Sequence, residues 1–112
     1  MSRVAHLKPI MQGSPEKCMR LLLGKLTAGD IVPTPDKYYT FIYKAKTRGI
    51  RYDQHPLIIC TGVYPWGFTG YNYHWSDYRR YSWREVFSNV YELTEQEFQD
   101  VMEFPIAKFK LA

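Results

Sequence analysis

Hydrophobic and polar residues alternate most clearly between residues 39 and 75, and this stretch organises the chain. It contains three runs that are rich in β-branched and aromatic residues and bounded by Gly, Pro or Asp: YTFIYKAK, HPLIICTGVY and GFTGYNYHW. That composition is typical of strands in a half-buried sheet. The continuous apolar run LIICT predicts the most buried strand, and YPWG at residues 64–67 predicts a hairpin turn.

Helical patterns flank these strands. Ser14 followed by Pro15 predicts a capped start for a helix over EKCMRLLLGKL. TEQE at residues 94–97 is a capping box, because its first and last side chains match the reciprocal bonds of that motif. It predicts a helix that ends before Pro105.

A further helix is predicted directly after the last central strand. Ser76 and Asp77 offer N-caps for DYRRYSWREVF, residues 77–87. Arg79 lies four residues before Trp83, which favours stacking of the two side chains on one helix face. Together the elements predict an α+β fold: a small bent antiparallel sheet or a Src-homology-3-like barrel, with one N-terminal and two C-terminal helices.

The length of 112 residues supports a single domain. We divide the chain into an N-terminal arm, residues 1–13, and one small barrel-plus-helices domain, residues 14–112. The arm fits two alternatives equally: it lies across a neighbouring molecule or covers its own sheet edge. TAGD at residues 27–30 predicts a turn before an edge strand or loop at residues 31–35. The tail IAKFKLA either adds a last strand or docks on a partner.

The amino-acid composition and the charge distribution indicate surfaces that could contact a partner. Aromatic residues make up 17% of the chain and include 10 Tyr, which suits an interface with protein or nucleic acid. The net charge of +4 is uneven: residues 1–51 carry ten Lys or Arg against three acids, a balance of +7, and residues 52–112 carry five against eight, a balance of −3. A basic half suits a phosphate backbone or an acidic protein face, but an ordinary solvated surface is the favoured interpretation.

No cluster of residues predicts a reaction. His6, His55 and His74 are scattered and lack the spacing of metal ligands. Cys60 and His74 can be drawn as a pair across neighbouring strands, but a buried, inert thiol is favoured. Cys18 and Cys60, without a signal peptide or an apolar membrane span, indicate a soluble protein in a reducing, intracellular compartment. We therefore expect no enzymatic activity, cofactor, metal, membrane contact or small-molecule substrate.

One loop combines basic and aromatic residues. Its candidate contact residues, within residues 44–52, are Lys44, Lys46, Arg48, Arg51 and Tyr52. Cations beside aromatic rings combine phosphate contact with base stacking in nucleic-acid-binding proteins. A solvated loop beside a protein interface has the same composition and is the favoured alternative. Arg79, Arg80 and Arg84 of the predicted helix project as further partner or nucleic-acid contacts.

A longer pattern spans Tyr39 to Arg84: YTFIYKAKT, RYDQHPLIICTG and WGFTGYNYHW, followed by the predicted arginine-bearing helix. With its core YxFxYxxK / YDxxPLI / GFxGxNxH, the pattern resembles a group of small structural or virion-associated proteins of contractile-tailed bacteriophages. The resemblance implies a non-enzymatic subunit of a tail, baseplate or neck, made in the host cytoplasm and held in the virion by other virion proteins. We call the positions that carry it the signature residues: Tyr52, Asp53, Pro56, Gly67, Gly70, Asn72 and His74.

Asn72 and His74 share a strand face with Phe68 and Gly70. This arrangement fits either a buried, hydrogen-bonded corner or a groove that admits another backbone, and the corner is favoured. Two functions remain beside the structural one: a nucleic-acid-binding accessory protein that acts through residues 44–52, and a small host-directed inhibitor.

Overall fold

The computed structural model describes residues 2–26 and 32–112, and a five-stranded antiparallel sheet lies at the centre of the fold. The strands in chain order are β1 (Tyr38–Thr40), β2 (Arg51–Asp53), β3 (Leu57–Tyr64), β4 (Gly67–Asn72), β5 (Asp77–Ser82), β6 (Tyr91–Leu93) and β7 (Phe109–Leu111). The helices are a 3-10 helix (Ala5–Ile10), α1 (Pro15–Leu23) and α2 (Glu95–Met102). The sheet has the order β5-β4-β3-β1-β6, and β2 pairs with β7 in a separate antiparallel ribbon.

The α+β class and the antiparallel sheet are confirmed, whereas the described residues form no closed barrel. The predicted helix over residues 77–87 is wrong, so one α-helix, and not two, follows the central strands. Asp77–Ser82 is strand β5, which pairs along its whole length with β4. Ser76 has a φ of +55° in the turn between these strands, so the chain reverses there instead of entering a helix.

Each face of the sheet packs against its own hydrophobic cluster. Directly opposite residues of paired strands share a face, and successive residues alternate between faces. Tyr38 lies opposite Ile59 and Leu93 on the face that packs against the helices. That cluster consists of Val4, Leu7, Met11, Cys18, Met19, Leu22, Leu26, Leu57, Leu93, Val101, Phe104 and Ile106. The cluster on the other face consists of Tyr39, Phe41, Tyr43, Tyr52, Ile58, Cys60, Phe68, Tyr81 and Val90.

The N-terminal segment packs on its own domain. Arg3 donates from its backbone N–H, at 2.8 Å, and from Nε, at 2.7 Å, to the fully buried carboxylate of Glu97. Its Nη2 also reaches the Glu92 carbonyl of the edge strand β6 at 3.3 Å. Lys8 forms an ion pair with Asp100 at 3.0 Å. Of the two alternatives for the arm, residues 2–13 follow the second and cover their own molecule.

Two of the three predicted helix starts, at Ser14 and at Thr94, are confirmed. Ser14 Oγ accepts a hydrogen bond from the Lys17 N–H at 3.2 Å at the start of α1. At the start of α2, Thr94 Oγ1 accepts from the Glu97 N–H at 3.2 Å, and Glu97 Oε1 accepts from the Thr94 N–H at 3.0 Å. Both bonds of the capping box therefore form, as the sequence predicts.

Other local predictions have mixed outcomes. The chain turns between β3 and β4 at residues 65–66, as predicted, and the C-terminal tail adds strand β7. The TAGD turn and the first residue of the predicted edge strand, residues 27–31, lie outside the described residues. None of the helices in the described ranges is long and apolar enough to cross a lipid bilayer.

Candidate binding surface

Asp53 of β2 is the centre of a buried hydrogen-bond network. Its Oδ1 accepts from the His55 backbone N–H at 3.0 Å. Its Oδ2 accepts from His74 Nδ1 at 2.6 Å and from Asn72 Nδ2 at 3.3 Å. The side chains of Asp53 and His74 are 2% and 10% exposed, so little water competes for these bonds. The network ties β2 to the end of β4.

Asn72 fixes the turn that follows β4. Its Oδ1 accepts from the backbone N–H groups of His74, at 2.8 Å, and Trp75, at 3.1 Å. Its Nδ2 also donates to the hydroxyl of Tyr81 at 3.1 Å, and burial raises the pKa of that hydroxyl. The structure therefore confirms the buried, hydrogen-bonded corner and excludes an open groove at Asn72. The corner positions Trp75 at the surface.

The polar groups near this corner do not form a nucleophilic pair. The Cys60 thiol contacts the Gly62 carbonyl at 3.7 Å, and burial raises its pKa. His74 is instead engaged with Asp53, and its Nε2 is buried without a partner among the described residues. His55 Nδ1 bonds the Ile106 carbonyl at 2.7 Å, and burial lowers the pKa of this imidazole. Within residues 2–26 and 32–112, no group of three or more His, Cys, Asp or Glu residues is placed to hold a metal ion.

Two arginines and two aromatic rings lie together at the end of the β4–β5 turn. We call Arg51, Trp75, Arg79 and Phe109 the arginine–aromatic stack. The rings of Trp75 and Phe109 stack with centroids 5.1 Å apart. The guanidinium of Arg79 lies 4.1 Å from the Trp75 centroid, not over Trp83 as predicted, and that of Arg51 lies 5.1 Å from the Phe109 centroid. Arg79 Nη2 also donates to the Arg51 backbone carbonyl at 3.0 Å, which ties the Arg79 side chain to β2.

The stack borders an open depression of about 430 Å³ that is lined by Arg51, His74, Trp75 and Phe109. The ring faces hold each guanidinium by cation–π attraction, and further N–H donors of the planar cations remain for a partner. Such a surface can bind carboxylate or phosphate groups beside an apolar wall.

The basic loop is held in place by Glu85. The buried carboxylate accepts from Tyr43 Oη at 2.9 Å and from Ser82 Oγ at 2.6 Å. It also accepts from the backbone N–H groups of Lys46, at 2.5 Å, and Thr47, at 3.2 Å. Burial alone would raise the pKa of Glu85, but these hydrogen bonds hold it below its ordinary value. The loop is therefore presented in a defined conformation.

Tyr52 is a correction to the predicted contact set. It is 9% exposed and packs edge-to-face against Tyr43 in the second hydrophobic cluster. The loop therefore offers cations at the surface but not the tyrosine ring that base stacking was expected to use. The exposed ring beside it is Phe87, which lies under Lys44 at 4.2 Å.

The other predicted contact residues are cations without acidic partners. No ion pair found within residues 2–26 and 32–112 involves Lys44, Lys46, Arg48, Arg51, Arg79, Arg80 or Arg84. By contrast, the acidic side chains of Glu92, Glu97, Asp100 and Glu103 pair with basic residues of the N-terminal half. Acidic residues of the C-terminal half therefore lie beside cations of the N-terminal half, so the uneven charge along the sequence does not become two separate charged regions.

A second exposed surface was missed by the sequence interpretation. We call Tyr64, Trp66, Tyr71, Tyr78 and Arg80 the sheet platform. Tyr78 is 69% exposed and meets Tyr71 edge-to-face at 5.1 Å. The available signal was the pairing of two Tyr-rich strands, which required residues 77–82 to be recognised as a strand.

Comparisons of the chain with protein families, curated proteins and solved structures found no match. The resemblance to phage proteins therefore stays a prediction.

Proposed function

We propose that this chain is a non-enzymatic structural subunit of a bacteriophage particle and that it binds a neighbouring virion protein through the arginine–aromatic stack. The observation that supports this role is that three signature residues hold the β4–β5 turn in place. Asp53, Asn72 and His74 form hydrogen bonds with one another, and Asn72 also binds the backbone of the turn. These bonds fix the position of Trp75 at the surface.

The stack has the composition of a protein-binding hot spot. Trp, Tyr and Arg dominate the residues that cost most when they are truncated in interfaces. Arg79 is already held against Trp75 and against the Arg51 carbonyl, so binding costs less side-chain entropy than it would for a free arginine. Arg51 and Arg79 form no ion pair with the part of the chain that the structure describes, which favours a partner surface that carries carboxylates.

Incorporation into particles tests this proposal. A phage that lacks the gene is supplied with the wild-type chain, Trp75→Ala, Arg79→Ala or the control Arg20→Ala, and the chain is quantified in purified particles. Arg20 is an exposed cation of α1 without an ion pair in the described part of the chain. We expect incorporation to fall at least about tenfold for the two stack variants and to be unchanged for the control. Equal incorporation of all four chains would contradict the role of the stack.

A second candidate is nucleic-acid binding through residues 44–52. The cations Lys44, Lys46, Arg48 and Arg51 favour it, because they are exposed and form no ion pair within the described ranges. The burial of Tyr52 removes its ring from the surface, so this loop would act mainly through phosphate contacts, with Phe87 as the exposed ring beside Lys44. The double variant Lys46→Ala/Arg48→Ala tests it by the salt dependence of oligonucleotide binding.

A further inference from the structure

The helices cover only part of one sheet face. Four directly opposite residues form a row across four strands of that face: Tyr38, Ile59, Tyr71 and Tyr78. The row starts under α2, where Tyr38 stacks on Phe98 with centroids 4.3 Å apart. It ends in solvent at Tyr78, on the edge strand β5. The β3–β5 end of the face is thus an open surface.

This open surface carries aromatic rings and a cation. Trp66 and Tyr64 are both 44% exposed and lie parallel, with an interplanar angle of 1° and centroids 5.3 Å apart. The guanidinium of Arg80 lies 5.8 Å from the Trp66 centroid. Arg80 is opposite Thr69, whose Oγ1 accepts a hydrogen bond from Thr61 Oγ1 at 2.8 Å. Arg80 therefore has Trp66 on one side, at the β3–β4 hairpin, and Tyr78 on the other side, along β5.

The charge around the platform is positive. Arg80 and Arg84 are exposed and form no ion pair among the described residues. Arg79 belongs to the opposite sheet face, where it lies on Trp75. Glu92 lies on the opposite edge strand β6, and the acidic helix α2 covers the other end of this face, where Phe98 stacks on Tyr38. Exposed rings on a sheet face, beside arginines that form no ion pair among the described residues, suit an anionic chain whose units carry flat faces.

We propose that the sheet platform binds single-stranded nucleic acid, with bases stacked on Tyr78 and Trp66 and phosphates bound by Arg80. A single strand fits because its bases are free to stack on the rings, whereas a duplex hides its base faces inside the helix. This inference goes beyond the particle role and uses a different surface from the arginine–aromatic stack. It also differs from binding through the basic loop, which offers no exposed tyrosine.

Fluorescence anisotropy with a labelled oligothymidine of about 12 nucleotides, within the range that one small β-sheet module covers, tests the proposal. Parallel titrations use an RNA oligonucleotide, a DNA duplex and poly-glutamate as polyanions of other kinds. We expect both single strands to bind more tightly than the duplex and than poly-glutamate. Absence of oligonucleotide binding, or equal affinity for the duplex or for poly-glutamate, would overturn the proposal.

Matched variants locate the site. Tyr78→Ala and Trp66→Ala should each weaken binding at least about fivefold, the lower range for loss of one base–aromatic stack. Phe87→Ala removes a ring of similar exposure, 64%, away from the platform and should leave the affinity unchanged. Arg80→Gln should lower the slope of log affinity against log salt by about 0.7, and Arg20→Gln should not.

The outcome separates the three surfaces. If Lys46→Ala/Arg48→Ala abolishes binding and the platform variants keep wild-type affinity, the basic loop is the site and the platform proposal fails. Loss of particle incorporation in the Trp75 or Arg79 variants has no bearing on these titrations, so either role can fail alone. Thermal unfolding followed by circular dichroism confirms that the variants, whose changed side chains are largely exposed, remain folded.

Discussion

Removal of the Asp53 carboxylate is the sharpest test of how the fold supports the surface. In Asp53→Ala, the His55 N–H, His74 Nδ1–H and one Asn72 amide N–H lose a buried acceptor. Each buried donor left without its acceptor costs about 1–3 kcal/mol, and three donors are affected. We therefore expect the free energy of unfolding to fall by about 3–5 kcal/mol.

Urea unfolding followed by tryptophan fluorescence measures this change. With an m value of about 1–3 kcal/mol/M, a loss of 3 kcal/mol lowers the midpoint by at least about 1 M. Asp77→Ala is the control, because Asp77 is exposed and its carboxylate bonds only the adjacent Tyr78 N–H. It should change the free energy of unfolding by less than about 0.5 kcal/mol. A loss below about 1 kcal/mol for Asp53→Ala would refute the central role of the network.

Two further predictions concern stability. The Arg3 hydrogen bonds lower the pKa of Glu97 to about 2 from its ordinary 4.5, so this stabilisation is complete above pH 4.5 and is lost as the pH falls toward 2. Since the Arg3 side chain is 43% exposed, we expect these bonds to contribute about 1–2 kcal/mol to the free energy of unfolding. The urea midpoint of Arg3→Ala should therefore depend less on pH than that of the wild type. An identical pH dependence in the variant and the wild type would contradict this. In Gly67→Ala, the new Cβ would lie 2.0 Å from the Tyr81 carbonyl oxygen, so thermal unfolding should show a loss of at least about 1–3 kcal/mol. Gly24→Ala, at a helix end with φ of −65° and contacts no closer than 3.4 Å, should be neutral or slightly stabilising, and equal melting of the two variants would refute the clash.

Local chemistry made several elements predictable from the sequence. Ser14–Pro15 and the box at residues 94–97 satisfy helix N–H groups with neighbouring residues, so no long-range information is needed. LIICT is buried at Leu57, Ile58 and Cys60, as a continuous apolar run indicates. The buried corner at Asn72 could also be predicted from the sequence, because an Asn and a His on an apolar strand face require polar partners.

The features that the sequence did not predict depend on contacts between residues far apart in the chain. Residues 77–87 contain Arg and aromatic residues at spacings that fit a helix, yet β4 supplies a paired strand, and tertiary context overrides the local preference. The bonds between Arg3 and Glu97 join residues 94 positions apart, a separation without a local signal. Prediction of the sheet platform required the β4–β5 pairing, because Tyr71 and Tyr78 meet only when these strands are neighbours.

The central claim is that this chain is a structural component of a phage particle. Quantitative mass spectrometry of phage particles, purified by density gradient from a culture that expresses the chain, tests it most directly. The proposal predicts that the chain sediments with the particles in a constant ratio to their major structural proteins across the gradient. Absence of the chain from the particle fractions, or a ratio that varies from fraction to fraction, would contradict it.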